Sequence, residues 1–297
     1  MAVTPVGGFG LAPGTGQDPV TGRKAGEESF SGLPQTPKGS LKARATMLDV
    51  RAVSKSFGGV KALSQVSLRV DERQIVSLIG ANGAGKTTLL SVVSGILQPD
   101  EGSVLFQGRR IDGLNPHQIA RMGIARTFQN IRLFRGLSVR ENIEVGLYHR
   151  SLGSLWDLVL APRKDATEQR RIRERVEAVA VLLQIADYLD RDPFSLPYGV
   201  QRRVELARAL VAEPRLLLLD EPVAGMTAEE AANIQEHIER LRASGCTIVL
   251  IEHNMRVVMS VSDWVVVLHH GVKLAEGTPE AIRADEKVID AYLGGEA

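Results

Sequence analysis

The chain has 297 residues, 44% of them hydrophobic and 24% charged, which is typical of a globular protein with one large domain or two modest ones. This composition excludes collagen, a coiled coil and wholesale disorder. Lys and Arg number 36 against 35 Asp and Glu, so the formal net charge of +1 gives no electrostatic reason for the whole surface to bind nucleic acid or anionic lipid.

The cysteine count and the length of the apolar runs exclude further classes of protein. The single cysteine, Cys246, leaves no basis for an intramolecular disulfide framework or a Cys-rich metal site, and it favours a reducing compartment. No apolar run approaches the ~18 residues of a membrane-spanning helix. If the protein works at a membrane, we expect another chain to span it.

The N-terminal segment differs in composition from the rest of the chain. Residues 1–46 contain nine Gly and five Pro and have no helical or alternating apolar period. Such a segment cannot bury enough apolar surface to offset the entropy of ordering, so we predict a disordered extension followed by a folded domain over 47–297. Secretion is disfavoured because the segment lacks an apolar stretch of signal-peptide length. A transit peptide and a translation start at Met47 are alternatives that the sequence leaves open.

From residue 48, strands alternate with helices, which predicts an α/β fold with a mainly parallel sheet. The predicted strands cover 48–53, 67–70, 75–79, 102–106, 216–219, 247–251, 264–268 and 273–276. The predicted helices cover 86–94, 166–186, 201–212, 228–243 and 280–283. Gly271 offers a turn that pairs the last two strands in a hairpin. Ser138 with Glu141, and Thr227 with Glu230, form capping boxes that predict two helix starts.

The strongest chemical signal follows the strand at 75–79, where the sequence matches G-x-x-x-x-G-K-[ST] at every fixed position. The matching residues are Gly80, Ala81, Asn82, Gly83, Ala84, Gly85, Lys86 and Thr87. A glycine-rich loop at a helix N-terminus can wrap phosphates with backbone N–H groups. Lys86 would neutralise the β- and γ-phosphates, the Thr87 hydroxyl would coordinate Mg²⁺, and Thr88 would add a phosphate contact. The alternative, a Gly-rich turn with a chance lysine, is disfavoured because strand, loop and helix all agree.

Hydrolysis needs an acidic element in addition to the phosphate loop, and the segment 216–222 provides one. Four consecutive Leu predict a strand buried on both faces, and its carboxyl end is where an α/β sheet places ligand chemistry. We expect Asp220 to hold the metal and Glu221 to act as general base toward water. Two adjacent acidic residues also occur in ordinary loops, but directly after such a strand this alternative is weak.

These segments, together with Gln129, the segment 196–201 and His253, resemble an ABC transporter nucleotide-binding subunit in their order and approximate spacing. The resemblance covers residues 47–297. It implies a P-loop NTPase (RecA-like) core with a mainly parallel sheet, an antiparallel β subdomain and a helical signature subdomain at roughly 130–212. It also implies a head-to-tail dimer with each ATP between the phosphate loop of one subunit and the signature segment of the other.

The resemblance assigns roles to three further side chains. Gln129 corresponds to the glutamine that meets the metal and the attacking water, and His253 to the switch histidine that contacts the γ-phosphate. Phe57 corresponds to the aromatic residue on which adenine stacks. Taken without the family, the amide could be a solvated loop group, the histidine a structural or exposed one, and the aromatic ring part of the core.

The signature segment departs from the family's commonest form, Leu-Ser-Gly-Gly-Gln. Pro197 cannot offer a serine hydroxyl, and Val200 lacks an amide. Tyr198, Gly199 and the start of a helix near Gln201 remain as expected nucleotide contacts, since free N–H groups there favour a γ-phosphate. Thr227 stands where relatives have Asp or Asn, which predicts weaker cooperation between the two ATP sites.

The predicted function is ATP hydrolysis, with ATP and Mg²⁺ as cofactors, that energises import. The block 123–134 and Tyr198 are similar to the importer subfamily for branched-chain and other hydrophobic amino acids. The resemblance implies two transmembrane permease subunits, a second ATP-binding subunit, an extracytoplasmic amino-acid-binding protein acting indirectly, and a peripheral location at the cytoplasmic face of the inner membrane. No nucleic acid is expected. The alternatives are another cargo, urea or lipopolysaccharide, and a soluble ABC ATPase associated with nucleic acid or ribosomes.

Overall fold

A computed structural model describes residues 45–129, 131–147 and 166–293. The predicted extension therefore lies outside the described residues except at its last two positions, and so do Asn130 and part of the predicted helical subdomain. Within the described ranges, no helix combines the length and apolar character needed to cross a bilayer.

The first sheet is antiparallel and lies near the start of the described chain. It comprises β1 (Thr46–Phe57), β2 (Val60–Asp71), β4 (Glu101–Phe106) and β5 (Arg109–Arg110) in the order β2-β1-β4-β5. Gly58 and Gly59 both have positive φ, +51° and +87°, and connect β1 to β2 in a tight turn. This sheet matches the antiparallel β subdomain that the resemblance implied.

The second sheet has the order β10-β9-β3-β8-β7-β6 within the described residues. The pairs among β9, β3, β8, β7 and β6 are parallel, and β10 pairs with β9 as the predicted antiparallel hairpin. Its strands are β3 (Ile75–Ile79), β6 (Ile124–Arg126), β7 (Leu216–Asp220), β8 (Thr247–Ile251), β9 (Trp264–His269) and β10 (Val272–Gly277). The prediction of a mainly parallel sheet is confirmed.

The sheet is apolar on both faces because it is covered on both. Leu217 and Leu219 pack in a cluster with helices that precede and follow β7 in the chain, whereas Leu216 and Leu218 pack in a cluster with the antiparallel sheet and the helix after β3. All residues of β3, β7 and β8 are buried, which explains why these strands are nearly continuous apolar runs, each with one polar residue: Ser77, Asp220 or Thr247.

The helices complete the fold. In chain order they are α1 (Lys86–Val93), α2 (Pro116–Arg121), α3 (Val139–Glu144), α4 (Ala166–Leu182), α5 (Tyr198–Leu210), α6 (Ala228–Ala243), α7 (Met255–Val261), α8 (Pro279–Arg283) and α9 (Glu286–Leu293). Both predicted capping boxes are present at the N-termini of α3 and α6. Val139, Val176 and Val204, from α3, α4 and α5, are fully buried in one cluster, which supports a helical subdomain.

Two predicted helix bounds are wrong in ways that matter for the site. The signature helix α5 starts at Tyr198 instead of near Gln201, because Pro197 occupies the N-cap with φ −55° and its carbonyl accepts the N–H groups of Val200 and Gln201. The helix predicted over 166–186 ends at Leu182, since Gln184 takes a φ of +54°. The helices α2, α7 and α9 and the short strands β5 and β6 were not predicted.

Candidate functional site

The phosphate loop leaves β3 and enters α1 through a backbone that only glycine fits at two points. Gly80 has φ +153°, and a Cβ there would lie 2.3 Å from the Leu268 carbonyl oxygen. Gly85 has φ +100°, and its Cβ would lie 2.5 Å from the Ala62 carbonyl oxygen. Since α1 has no side-chain cap and no acidic residue in its first turn, its N-terminal N–H groups are available to an anion.

Lys86 is buried and folds back over the loop. Its Nζ donates to the carbonyl oxygens of Gly80 at 2.6 Å and Ala81 at 2.9 Å. Burial lowers the pKa of the Lys86 ammonium, and the nearby carboxylates of Glu221 and Asp220 oppose that shift. The loop thus holds a cation whose hydrogen bonds go to backbone carbonyls and which could turn to a phosphate.

The other predicted residues of this loop line the same turn. Gly83 has φ +80°, and a Cβ added there would meet no atom within 4 Å, so the loop is open at this point. Asn82 and Thr87 are exposed, Thr88 is half-buried, and Ala84 is buried against the turn of the last hairpin, whose Gly271 N–H donates to its carbonyl oxygen at 3.1 Å.

The acidic pair lies at the carboxyl end of β7. Asp220 is buried, and its Oδ2 accepts from Arg126 Nη2 at 3.1 Å. Burial raises the pKa of the Asp220 carboxyl, while the Arg126 guanidinium opposes that rise. Glu221 has φ +49°, a left-handed backbone conformation that costs about 1–3 kcal/mol. The following Pro222 restricts the backbone of Glu221 further. Its N–H donates to the Ile251 carbonyl oxygen at 3.0 Å.

Three predicted catalytic side chains come together at this point. Gln129 Nε2 donates to Glu221 Oε2 at 2.9 Å, and His253 Nδ1 lies 3.8 Å from Glu221 Oε1. The topology explains the meeting, because β3, β8, β7 and β6 are consecutive in the sheet. Their carboxyl ends therefore place the phosphate loop, His253, the acidic pair and Gln129 in one row.

The signature segment and the predicted adenine platform lie elsewhere on the fold. Tyr198 is exposed, whereas Gly199 is buried, and a Cβ on it would lie 2.3 Å from Glu230 Oε1 of α6. The Gln201 side chain donates to the Leu196 carbonyl oxygen at 2.9 Å. Among the described residues, no hydrogen bond joins segment 196–201 to the phosphate loop. Phe57 is 46% exposed at the end of β1, so the alternative of a core role for its ring is wrong.

Two arginines to which the sequence analysis assigned no role, Arg126 and Arg202, contact the acidic pair. Arg126 reaches Asp220 and also donates to the hydroxyls of Ser91 in α1 and of Ser94 at its C-cap, each at 3.1 Å. Arg202, from α5, donates to the backbone carbonyls at the end of β7. The strand β6, which carries Arg126, was not predicted, and Arg202 belongs to no motif that the sequence analysis used, so the sequence offered no signal for either contact.

The arrangement fits a nucleoside triphosphate with its magnesium ion. Uncapped N–H groups, glycines that admit a close approach and a buried lysine suit phosphate oxygens. The Thr87 hydroxyl and the Asp220 carboxylate are oxygen donors of the kind Mg²⁺ prefers. Among the described residues, no group of three or more His, Cys, Asp or Glu side chains could hold a metal by itself. Phosphate oxygens would therefore have to complete the shell.

A cavity of about 420 Å³ lies beside the row, between the segment around β6, the helices α2 and α5, and the residues Val145 and Gly146 after α3. Its lining includes Phe128, Arg132, Phe134 and Arg208. The Arg132 guanidinium carbon lies 4.4 Å from the centre of the Phe128 ring, and the Arg208 one 5.6 Å from that of Phe134. Two aromatic rings, each contacted by an arginine, thus line the cavity, and one of them, Phe128, directly precedes Gln129.

Comparison with known proteins identifies the family. The ABC transporter family model matches residues 63–224, and a model of branched-chain amino acid ATP-binding cassette transporters matches residues 272–297. The chain is 42% identical to the high-affinity branched-chain amino acid transport ATP-binding protein BraF of Pseudomonas aeruginosa over 252 residues, covering 84% of this chain and 98% of that one. It is 40% identical to the corresponding protein LivG of Escherichia coli over 249 residues, with the same shares of the two chains.

A solved structure agrees. The ADP conformation of MJ1267, an ATP-binding cassette of an ABC transporter, has a TM-score of 0.73 and 31% identity, covering 84% of this chain and 99% of that one. Family model, curated relatives and fold all coincide over the domain that holds the phosphate loop and the acidic pair. The chain therefore belongs to the ABC transporter family and is an ATP-binding subunit that resembles the branched-chain amino acid transport proteins within it.

Proposed function

We propose that this chain hydrolyses ATP to drive the import of branched-chain or other hydrophobic amino acids through separate membrane proteins. The observation that carries the proposal is the row formed by Lys86, His253, Glu221 and Gln129 along the sheet edge. The cargo class is supported by the names of the relatives at 40–42% identity and by the match of residues 272–297.

The residues divide the work by their chemistry. The N–H groups of the loop and the Lys86 ammonium bind the phosphates, and the exposed ring of Phe57 stacks on the adenine. Thr87, Asp220 and Gln129 would hold the metal, which would neutralise charge on the phosphates. Their hydroxyl, carboxylate and amide oxygens are suitable donors.

Glu221 acts on the attacking water. Its carboxylate accepts a proton as general base, and the Gln129 amide and the His253 ring, on its two oxygens, fix its direction. The second copy's signature segment would close the site through Tyr198, Gly199 and Gln201. The observed start of α5 favours the N–H groups of the first two as the contacts, since the Gln201 amide is engaged with Leu196.

The proposal places the chain at the cytoplasmic face of the inner membrane, in a complex with two permease subunits, a second ATP-binding subunit and, indirectly, an extracytoplasmic binding protein. The cavity beside Gln129 could bind a cytoplasmic helix of a permease, because aromatic side chains line the cavity. One of them, Phe128, is adjacent in sequence to the catalytic amide of Gln129. A movement of that helix would then displace Gln129 relative to Glu221.

The departures from the family pattern have structural explanations. Val200 is buried in the helical cluster, where an amide would need a partner, and Thr227 caps α6 by accepting from the Glu230 N–H. Because a capping hydroxyl is committed to its own helix, we expect weaker cooperation between the two ATP sites.

The test of the hydrolytic role is Glu221→Gln. The variant keeps the shape and the hydrogen bond acceptor but loses the base, so we expect ATP binding to remain and turnover to fall by about 10²–10⁴-fold. Glu239→Gln, an exposed change on α6, is the matched control and should hydrolyse ATP like the parent. If Glu221→Gln turned over ATP at the parental rate, the assignment of the base would be wrong.

The test of the cargo and partners is affinity purification from solubilised membranes followed by reconstitution. We expect two polytopic proteins to be recovered, and ATP-dependent leucine uptake when the extracytoplasmic binding protein is supplied. Uptake of urea instead, extraction of lipopolysaccharide, or recovery of ribosomes would support the corresponding alternative and contradict the amino acid assignment.

A further inference from the structure

Arg202 makes an unusual set of contacts for a residue of the signature helix. Its Nη2 donates to the backbone carbonyl oxygens of Asp220 at 3.1 Å and Glu221 at 2.9 Å. Its Nη1 donates to the carbonyl oxygen of Phe128 at 2.5 Å and to Glu205 Oε2 at 2.7 Å. One guanidinium thus ties α5 to the two segments that carry the catalytic glutamate and the catalytic glutamine.

The contacts are built into the interior. The side chains of Arg202 and Glu205 are 3% and 1% exposed, and the two are one turn apart on α5. The Glu205 carboxylate balances the buried charge, which leaves the other N–H groups of the fork free to hold backbone carbonyls. A planar fork with fixed donors suits this task, whereas a lysine ammonium concentrates its donors at one point.

Arg202 contacts a backbone segment whose conformation is strained. Glu221 has a left-handed φ of +49° ahead of Pro222, so its conformation has to be imposed by its surroundings. The Ile251 carbonyl accepts its N–H, and the Glu221 carbonyl accepts from Arg202 at 2.9 Å and from the Ala224 N–H at 3.2 Å. On the other side, Phe128 directly precedes Gln129, whose amide meets the Glu221 carboxylate at 2.9 Å. Arg202 therefore holds the backbone next to both partners of that hydrogen bond, at Phe128 and at Glu221.

We propose that Arg202 is a positioning residue for ATP hydrolysis, which fixes the backbone of Glu221 and Phe128 so that the Glu221 carboxylate and the Gln129 amide face the same point. The inference rests on the proposed function of this site and adds a residue to it. Arg202 acts through the other two residues and does not touch the nucleotide.

The test compares Arg202→Lys with Arg203→Lys in the full chain. Arg203 is the next residue on α5 and donates to the carbonyls of Leu183 and Gln184, away from the acidic pair. We expect Arg202→Lys to lower kcat by about 10–100-fold, since a misplacement of about 1 Å costs that much. The ATP dissociation constant and the melting temperature should stay close to parental values, and Arg203→Lys should match the parent in all three.

Non-additivity separates positioning from a general structural role. In a Glu221→Gln background the group that Arg202 positions has already lost its function, so Arg202→Lys should lower the residual rate by less than about threefold. An equal loss in both backgrounds, or a parental rate in Arg202→Lys alone, would overturn the inference. If Arg202→Lys does not fold, Arg202→Met combined with Glu205→Gln removes both charges of that pair and leaves Arg208 its hydrogen bond to the Arg132 carbonyl. This double variant should give the same selective loss of kcat. A parent without ATPase activity would instead contradict the proposed function itself.

Discussion

Arg126→Met removes one partner of the ion pair inside the site. The side chains of Arg126 and Asp220 are 6% and 3% exposed, and their atoms lie 3.1 Å apart. Methionine keeps an apolar stem of similar length, so the packing loss is small. The hydroxyls of Ser91 and Ser94, which also accept from Arg126, each donate to a carbonyl of α1 and keep those partners. The cost therefore falls on Asp220.

The magnitude follows from the burial of the pair. Removing one member of a buried ion pair costs about 3–5 kcal/mol of unfolding free energy, because the remaining charge is desolvated and unpaired. For a domain of this size, such a loss lowers the melting temperature by about 10 °C. Arg110→Met is the matched control, since Arg110 pairs with Asp112 at the surface, with its own side chain 68% exposed. That change should cost less than about 1 kcal/mol.

The loss should depend on pH. Burial already raises the pKa of Asp220 above its unfolded value, and the loss of Arg126 raises it further. The native state then binds a proton more tightly than the unfolded state, so stability is greatest below the unfolded pKa and falls as pH rises through the folded pKa. The gap between Arg126→Met and the parent therefore widens toward neutral pH and narrows in acid.

Thermal and denaturant unfolding without nucleotide or magnesium, from acid to neutral pH, measures both effects. Adding Asp220→Asn to Arg126→Met removes the unpaired charge and should recover most of the lost stability. A gap that grew toward acid, or an Arg126→Met protein as stable as the parent at neutral pH, would refute this explanation of the pair.

Two further predictions concern separate parts of the chain. Phe57→Ala should leave the unfolding free energy within about 0.5 kcal/mol of the parent, because the ring is exposed, but weaken ATP binding about tenfold by calorimetry; Phe57→Trp should retain affinity, and unchanged binding in Phe57→Ala would contradict adenine stacking. Thr227→Ala should lower the unfolding free energy by about 1 kcal/mol through loss of the α6 cap, without changing ATP affinity. Thr227→Asn keeps a capping oxygen and should stay near the parent; an equal loss in both variants would contradict the capping role.

The sequence predicted those parts of the fold whose signals are local. The strands β3 and β8 were placed to the residue because both are buried throughout and bounded by polar residues and turns. The phosphate loop carries its own chemistry in a fixed spacing, and Thr227 with Glu230 marked the start of α6. The edge position of Asp220 and Glu221 followed from the apolar run before them.

The rest depends on contacts between distant segments or on the direction of a single backbone carbonyl. The strand β6 has three residues, Ile124–Arg126, too few to show a period, and it forms because β7 supplies the neighbouring ladder. The start of α5 depends on how Pro197 directs its carbonyl. The reach of Arg202 to Glu221, and the left-handed backbone of that residue, have no local signal at all. For the same reason the roles of Tyr198 and Gly199 stay predictions, since their ligand would lie in another subunit.

The most direct test of the central claim is calorimetric titration of the full chain with ATP, with and without Mg²⁺, beside a hydrolysis assay on the same preparation. We expect one ATP per chain, hydrolysis only with magnesium, and a loss of affinity of about 10–100-fold in Lys86→Ala, because a charge-assisted contact to phosphate is removed. Parental affinity in Lys86→Ala, or binding and turnover indifferent to both the lysine and the metal, would contradict the claim that this loop grips a magnesium triphosphate.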